Sequence, residues 1–140
     1  MGVGKDLWIE LETRYNKSDL SGAASLYASD AVCVDPTSRY EGRDAIQAYL
    51  EVAQRAFPDA RYETSRLIEE GDTVVAEWTF RGTQTGPFAT PDGSEIPATG
   101  KAVETAGVSV VTVRDGQLAS ARDYFDNVSM MSQLGLLPGA

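Results

Sequence analysis

Two aspartates near the C-terminus have the residue type and spacing that best suggest chemistry. In the segment RDYFDNVSMMSQLGLLP, Asp123 and Asp126 lie where a strand-like alternation gives way to a helical pattern. Because successive side chains of a strand point to opposite faces, we expect the two carboxylates on opposite sides. On the predicted face of Asp123 the neighbours are small or apolar, namely Ala119, Ala121 and Phe125. The two alanines leave space beside the carboxylate, as the wall of a pocket would.

The expected surroundings of Asp123 make it a candidate acid/base group. Desolvation disfavours the charged form of a carboxyl and raises its pKa. A carboxyl whose pKa lies nearer neutrality can both take and give a proton, as general acid–base catalysis requires. The alternative is a structural aspartate paired with an arginine or with backbone N–H groups, and the pattern leaves both open. Asp126 is predicted to cap the closing helix, because its side chain precedes the first helical turn.

A third carboxylate, Asp35, stands at the end of the strand-like segment AVCVDP. It shares strand parity with Ala31 and Cys33, which would place it at the rim of a pocket. Asp-Pro is also a common start of a turn, so a catalytic and a structural role are both open. Cys33 lies in an apolar run and is predicted to be a buried thiol that packs as a small hydrophobic side chain.

Absent residue types exclude several classes of site. The chain has no histidine, which rules out Ser-His-Asp and Cys-His catalysis and any imidazole-ligated metal. Its single cysteine rules out an intrachain disulfide and a multi-thiolate metal site. Neither GxxxxGK[ST] nor a strand-following GxGxxG occurs, so nothing indicates a nucleotide. We therefore expect no cofactor and no metal, and any chemistry must come from carboxylates, tyrosines and hydroxyls.

Length and charge bound the remaining possibilities. With 140 residues, the chain is predicted to form one domain over residues 1–140. Its net charge of −9 repels phosphate backbones, so we expect no nucleic-acid partner. No apolar run approaches the ~20 residues of a membrane helix, and no signal peptide or myristoylation signal opens the chain. We expect a cytoplasmic protein with no membrane partner.

Hydrophobic periodicity predicts the elements that must position these carboxylates. Helices are expected over about residues 5–16, from near Asp19 through Tyr27, over 42–57 and over 127–134. Strands are expected in AVCVDP, at residues 61–69, and in TVVAEWTFRG, VETAGVSVVTV and QLASARDYF. TSRYEG is predicted to be a loop, and residues 82–101 a long loop or distorted hairpin. This order predicts an α+β fold, in which a curved antiparallel sheet packs on three N-terminal helices and forms a conical pocket.

Four segments carry a resemblance to a known superfamily: DLSGAASLYASDAVCVDP, EGRDAIQAYL, VRDGQLASARDYFD and QLGLLP. At these spacings the chain resembles the nuclear transport factor two-like superfamily, in its SnoaL-like polyketide cyclase and ketosteroid isomerase branches. The likeness covers nearly the whole length and implies a cystatin-like α+β barrel. It is more specific for the fold than for an activity, because this scaffold hosts many functions.

The resemblance also assigns roles to individual residues. The cyclases use an Asp in the RD pair of the last strand as acid/base, which is the position of Asp123. The isomerases use an Asp in a V-x-D-P-like segment as a proton-shuttling base, and CVDP puts Asp35 there. The isomerase oxyanion hole, a first-helix Tyr and a later-strand Asp, aligns with Leu11 and Ser109, while Tyr15 lies one helical turn away. The cyclases place a His near Ser109.

The resemblance implies a small cofactor-independent enzyme of polyketide-type secondary metabolism. Asp123, with Asp35 second, would catalyse ring closure, such as an intramolecular aldol cyclisation of a hydrophobic substrate. We expect that substrate to contact Leu11, Tyr15, Tyr49, Phe57, Trp78, Phe88, Ser109 and Phe125. Two alternatives stay open: a double-bond isomerase with Asp35 as its base, and a non-catalytic module that binds a hydrophobic ligand. The resemblance further implies a homodimer formed through the open face of the sheet.

Overall fold

Three helices occupy the N-terminal part of the chain, and a fourth follows the last strand. The computed structural model describes residues 3–90 and 92–137. Its helices are α1 (Val3–Asn16), α2 (Leu20–Ala24), α3 (Arg43–Ala56) and α4 (Asn127–Gln133). Asp19 caps α2 by accepting a hydrogen bond from the Gly22 N–H. Asp126 caps α4 by accepting one from the Ser129 N–H at 2.9 Å, which confirms its predicted role.

One curled sheet forms the other layer. The strands are β1 (Tyr27–Val34), β2 (Arg39–Glu41), β3 (Arg61–Glu70), β4 (Thr73–Thr83), β5 (Phe88–Ala89), β6 (Glu95–Ile96), β7 (Ala102–Arg114) and β8 (Gln117–Phe125). Six of them are ordered β2-β1-β8-β7-β4-β3, while β5 and β6 pair with each other as a separate hairpin. The predicted α+β class is confirmed, and the segment 82–101 contains a short hairpin.

The prediction that the sheet is antiparallel is wrong at one pair of strands. β1 runs parallel to β8, with Cys33 opposite Ala121 and Val34 opposite Arg122. The other neighbours in the sheet are antiparallel. A parallel pair requires a long crossover connection, and here most of the chain lies between the two strands. Element order alone does not reveal a pairing between segments so distant in sequence.

Two predicted boundaries in the N-terminal third are also wrong. Tyr27, assigned to the second helix by its spacing, instead begins β1. The predicted loop TSRYEG contains β2, which pairs with β1 through Cys33 and Tyr40. In both cases a local pattern over so few residues is a weak signal, and long-range pairing in the sheet overrides it.

β8 has an irregularity that changes which of its side chains face inward. The register against β7 shifts between Thr112, opposite Ser120, and Val113, opposite Leu118. Leu118 is therefore on the buried side, and the prediction that Ala119 lies beside the pocket is wrong. Ala121 is buried in the hydrophobic core and does not clear space for a ligand.

The inner face of the sheet is the one covered by α1 and α3. Val74, Ala76, Trp78 and Phe80 of β4 are all buried on this face, as their alternation predicts. The core is divided into one hydrophobic cluster around Ile46 and Leu118 and a second around Phe57 and Trp78. None of the helices in residues 3–90 and 92–137 has the length and apolar character needed to cross a membrane.

Candidate active site

A hydrogen-bonded relay fixes the carboxylate of Asp123. The indole Nε1–H of Trp78 donates to Ser109 Oγ at 2.9 Å. The hydroxyl of Ser109 in turn donates to Asp123 Oδ1 at 2.6 Å. Ser109 and Asp123 lie directly opposite each other on β7 and β8, so strand register brings them together. One carboxylate oxygen is therefore held by a neutral donor, which leaves the other oxygen available to a ligand.

The pKa of Asp123 is raised from its ordinary value of 3.8 to about 6. Burial is the main cause, because it disfavours the charged form of the carboxyl. The hydrogen bond from Ser109 lowers the pKa, and the charge of Asp35 raises it slightly further. The carboxyl is thus poised near neutrality, as predicted from its apolar face, and a structural pairing with an arginine is not what holds it.

Asp123 lines a small inner chamber at the base of the barrel. The chamber has a volume of about 100 Å³ and is enclosed by α1, β1, α3 and the inner face of the sheet. Its walls include the tyrosines Tyr15, Tyr27, Tyr49 and Tyr62, with Ser109 beside the carboxylate. A site that is mostly aromatic with a few convergent polar groups is the kind that binds and orients small molecules.

The inner chamber adjoins a larger outer cavity. This cavity has a volume of about 720 Å³ and opens between α3, the β5–β6 hairpin and α4. The two spaces share five lining residues, namely Tyr40, Tyr49, Tyr62, Trp78 and Phe125. Asp123 lines only the smaller of the two spaces.

Asp35 lies on the wall of the outer cavity, and its carboxylate is engaged by a turn. Asp35 Oδ1 accepts hydrogen bonds from the Thr37 N–H at 2.8 Å, the Thr37 hydroxyl at 2.9 Å and the Ser38 N–H at 2.9 Å. This is the turn geometry that an Asp-Pro sequence favours. The structure therefore places Asp35 at the rim of the pocket, with its Oδ1 engaged by the turn.

The hydroxyl of Tyr15 is the unusual polar atom of the chamber. Tyr15 is only 5% exposed, and within the described part of the chain its hydroxyl has no hydrogen-bond partner. Its ring packs edge-to-face on Tyr62 with the centroids 5.1 Å apart. Burial raises the pKa of Tyr15 to about 12, so this group keeps its proton and can act as a donor.

Burial also keeps the other phenols and the thiol of the chamber protonated. It raises the pKa of Tyr27, Tyr49 and Tyr62 well above the ordinary value. It raises the pKa of Cys33 to about 12, and the nearby charge of Asp123 adds to the effect. Cys33 is partly buried and lines the chamber, so it is a wall residue and a poor nucleophile at neutral pH.

The residues predicted to contact substrate all line one or both spaces. Around the inner chamber lie Leu11, Tyr15, Tyr49, Trp78, Ser109 and Phe125. Around the outer cavity lie Phe57 and Phe88, together with Tyr49, Trp78 and Phe125. In the described ranges, no group of three or more Asp, Glu or Cys side chains is arranged to hold a metal ion.

The model of one protein family matches residues 6–134 of the chain, and its description is SnoaL-like polyketide cyclase. The chain belongs to the SnoaL-like polyketide cyclase family. The match spans every element from α1 to α4 and includes both Asp35 and Asp123. Among curated proteins, no sequence matches this chain significantly.

Solved structures agree with the family assignment. AclR, a proposed hydroxylase from Streptomyces galilaeus, is 26% identical, with 97% of this chain and 83% of that one covered and a TM-score of 0.81. IdmH, a proposed polyketide cyclase from Streptomyces antibioticus, is 27% identical, with 94% and 97% covered and a TM-score of 0.77. A protein with a ketosteroid isomerase-like fold from Catenulispora acidiphila is 17% identical, with 94% and 93% covered and a TM-score of 0.78. The last shows the fold alone.

Several residues of the SnoaL-like pocket were not predicted. Tyr27 and Tyr62 line the inner chamber, and Met130 and Met131 line the outer cavity. Strand alternation in β3 would have indicated Tyr62, because it lies on the same face as the partly buried Thr64. Glu12, on α1, also lines the chamber, and no sequence signal distinguishes it from a solvent-facing glutamate.

Proposed function

We propose that the protein is a cofactor-independent enzyme that closes a ring in a hydrophobic, polycarbonyl substrate by an intramolecular aldol reaction. The observation that carries this proposal is the carboxyl of Asp123, which lines the aromatic inner chamber and has its pKa raised to about 6. Membership in the SnoaL-like polyketide cyclase family supports a reaction of the polyketide cyclase type. IdmH, at 27% identity, is described as a proposed polyketide cyclase and supports the same class.

The proposed chemistry needs one carboxyl that changes its protonation state twice. The carboxylate of Asp123 takes an α-proton that lies next to a carbonyl, and the C–H electron pair becomes an enolate. The enolate carbon bonds to a second carbonyl carbon of the same molecule, which becomes an alkoxide. The carboxyl of Asp123 then donates its proton to the alkoxide, and the starting carboxylate is restored.

The pocket supplies the other requirements of such a reaction. A volume of about 720 Å³ accommodates a molecule of several fused rings or the folded chain that precedes it. Folding that chain against rigid aromatic walls brings the reacting carbons together before the chemical step. The hydroxyl of Tyr15, which has no partner among the described residues, would donate a hydrogen bond to the enolate oxygen, where negative charge develops.

A synthetic probe tests the proposal before the natural substrate is known. Because a forward and a reverse reaction share one transition state, an aldolase also cleaves a β-hydroxyketone. We would measure release of naphthaldehyde from a naphthyl β-hydroxyketone by fluorescence. Asp123→Asn is expected to lower kcat/KM by about 1,000-fold, because general acid–base catalysis contributes roughly 10²–10⁴-fold.

The chain offers a matched control three residues away from Asp123. Asp126→Asn makes the same chemical change at a helix cap, where asparagine serves as well as aspartate, so its rate should equal that of the wild type. Asp35→Asn should retain activity within about threefold, since its carboxylate serves a turn. Full activity of Asp123→Asn, or loss of activity in Asp35→Asn alone, would refute the assignment.

A further inference from the structure

We propose that Glu12 is a second proton-transfer residue of the inner chamber, which dehydrates the β-hydroxyketone that ring closure produces. This inference rests on the proposed function and adds an elimination step to it. The supporting observation is a second hydrogen-bonded relay, which has the same order of tryptophan, hydroxyl and carboxylate as the relay that holds Asp123. The second relay ends in a carboxylate on a different wall of the same chamber.

The second relay runs from α1 to β3 and back to α1. The indole Nε1–H of Trp8 donates to Thr64 Oγ1 at 2.8 Å. The hydroxyl of Thr64 donates to Glu12 Oε1 at 2.5 Å. Each carboxylate of the chamber is therefore held through one oxygen by a hydroxyl, which is itself held by a tryptophan. In the described part of the chain neither carboxylate is paired with a cation.

The sheet places the two relays on either side of Trp78. Thr64 of β3 is directly opposite Trp78 of β4, and the Trp78 indole points across β7 to Ser109. From β3 to β8 the inner face thus presents Thr64, Trp78, Ser109 and Asp123 in order. A ligand that enters the chamber over the Trp78 ring has Asp123 on one side and Glu12 on the other. Such an arrangement allows proton transfers at two different positions of one molecule.

Unlike Asp123, Glu12 also lines a cleft on the surface of the protein. It and Tyr62 line a surface cleft of about 620 Å³ between α1, β3 and β7, in addition to lining the chamber. Exposed charged residues such as Arg61, Glu63 and Arg81 line the same cleft. Glu12 and Tyr62 therefore stand between the inner chamber and this surface cleft.

The proposed step balances without a cofactor. The carboxylate of Glu12 takes the α-proton of the β-hydroxyketone, and the C–H electron pair becomes an enolate. The enolate re-forms its carbonyl, makes a carbon–carbon double bond and expels the β-hydroxyl as hydroxide. The hydroxide takes the proton back from the Glu12 carboxyl and leaves as water, which restores the carboxylate. The organic product is a conjugated enone.

One probe reports both reactions of the chamber. A naphthyl β-hydroxyketone gives naphthaldehyde and acetone by retro-aldol cleavage and gives the naphthyl enone by dehydration. We would quantify aldehyde and enone together by chromatography. Glu12→Gln is expected to lower enone formation by about 100-fold, within the range of general acid–base catalysis, and to lower the ratio of enone to aldehyde by at least about tenfold.

Two further variants make the result specific. Glu10→Gln removes an exposed carboxylate of the same helix, which pairs with Arg14 at 2.8 Å, and should form both products at the wild-type rate. Thr64→Val keeps the charge of Glu12 but removes the hydroxyl that orients it, so enone formation should fall by about tenfold. If Glu12→Gln fails to fold, Thr64→Val alone decides between the two outcomes.

The outcomes separate this inference from the proposed function. Wild-type enone formation in Glu12→Gln, or an equal loss of aldehyde and enone, would overturn the role of Glu12. If Asp123→Asn loses both products while Glu12→Gln loses neither, Asp123 does all the chemistry and only the further inference fails. If the wild type releases aldehyde no faster than Asp123→Asn, the proposed function fails and the elimination step fails with it.

Discussion

The carboxylate of Asp123 is buried without a counter-charge. No ion pair in the described part of the chain includes it, and its hydrogen-bond donor is the neutral hydroxyl of Ser109. A cationic partner would have lowered the pKa, whereas desolvation raises it. The arrangement favours a group that exchanges protons near neutrality over one that stabilises the fold.

The pH dependence of turnover follows from this carboxyl. If Asp123 acts as the base, only its ionised form is active, so kcat/KM should be constant at high pH and fall below a midpoint near its pKa of about 6. The measurement is retro-aldol cleavage of the naphthyl probe across the pH range. A rate that is flat through this region, or that rises as the pH falls, would contradict the assignment.

The raised pKa of Asp123 also predicts how the stability of the fold changes with pH. Because the folded pKa of Asp123 is raised from 3.8 to about 6, folding favours the protonated form, and the wild type loses stability as the pH rises between these values. Asn carries no charge, so Asp123→Asn should be more stable than the wild type by about 3 kcal/mol at about pH 8. This difference should shrink toward pH 4.

Urea unfolding at the two pH values measures this difference, with Asp126→Asn as the control on an exposed cap. A stability difference that grows as the pH falls would show that burial does not raise the pKa of Asp123. Equal stability of wild type and Asp123→Asn at both pH values would lead to the same conclusion.

At the scale of elements, the relay depends on a glycine in β7. Gly107 lies directly opposite Trp78, and a Cβ at this position would overlap ring carbons of the indole. Gly107→Ala should therefore displace the indole from Ser109 and cost about 2 kcal/mol of stability, as overpacking of a core does. The indole N–H resonance of Trp78 should shift on loss of its hydrogen bond.

The matched control for this prediction is Ala106→Ser, an exposed position on the same strand. Thermal unfolding and the indole N–H resonance are measured for both variants. An unchanged Trp78 resonance in Gly107→Ala would mean that the indole does not need the space left by the glycine.

Local patterns predicted the position of Asp123 but not the side chains that hold it. From Ala121 to Phe125 the side chains alternate between the two faces as predicted, because no irregularity interrupts β8 there. The register shift before Ser120 made the prediction for Ala119 wrong. The contacts Trp78–Ser109 and Thr64–Glu12 join residues that are 31 and 52 positions apart. Such contacts arise from strand register and helix docking, which single-sequence periodicity does not encode.

At the scale of the whole molecule, the outer face of the sheet carries an apolar patch. Tyr124 is 54% exposed and lies opposite Val108, and Ile68 is 48% exposed and lies opposite Val75. Exposed apolar side chains on one face of a sheet are typical of an interface. We propose that two copies pair through this face, which leaves the mouth of the pocket free.

Light scattering after size exclusion tests this pairing. The wild type should have the mass of a dimer, and Tyr124→Lys should be monomeric, because the dimer would bury two unpaired charges. Tyr124→Phe, which keeps the apolar ring, should remain dimeric. A monomeric wild type, or a dimeric Tyr124→Lys, would show that this patch is not the interface.

The fold is expected to hold the pKa of the Asp123 carboxyl near neutrality in the inner chamber. An NMR titration of its side-chain carboxyl carbon, assigned by comparison with Asp123→Asn, measures this directly and needs no substrate. We expect a midpoint of about 6 in the wild type and a higher one in Ser109→Ala, since the Ser109 hydrogen bond lowers the pKa. A wild-type midpoint near the ordinary 3.8 would contradict it.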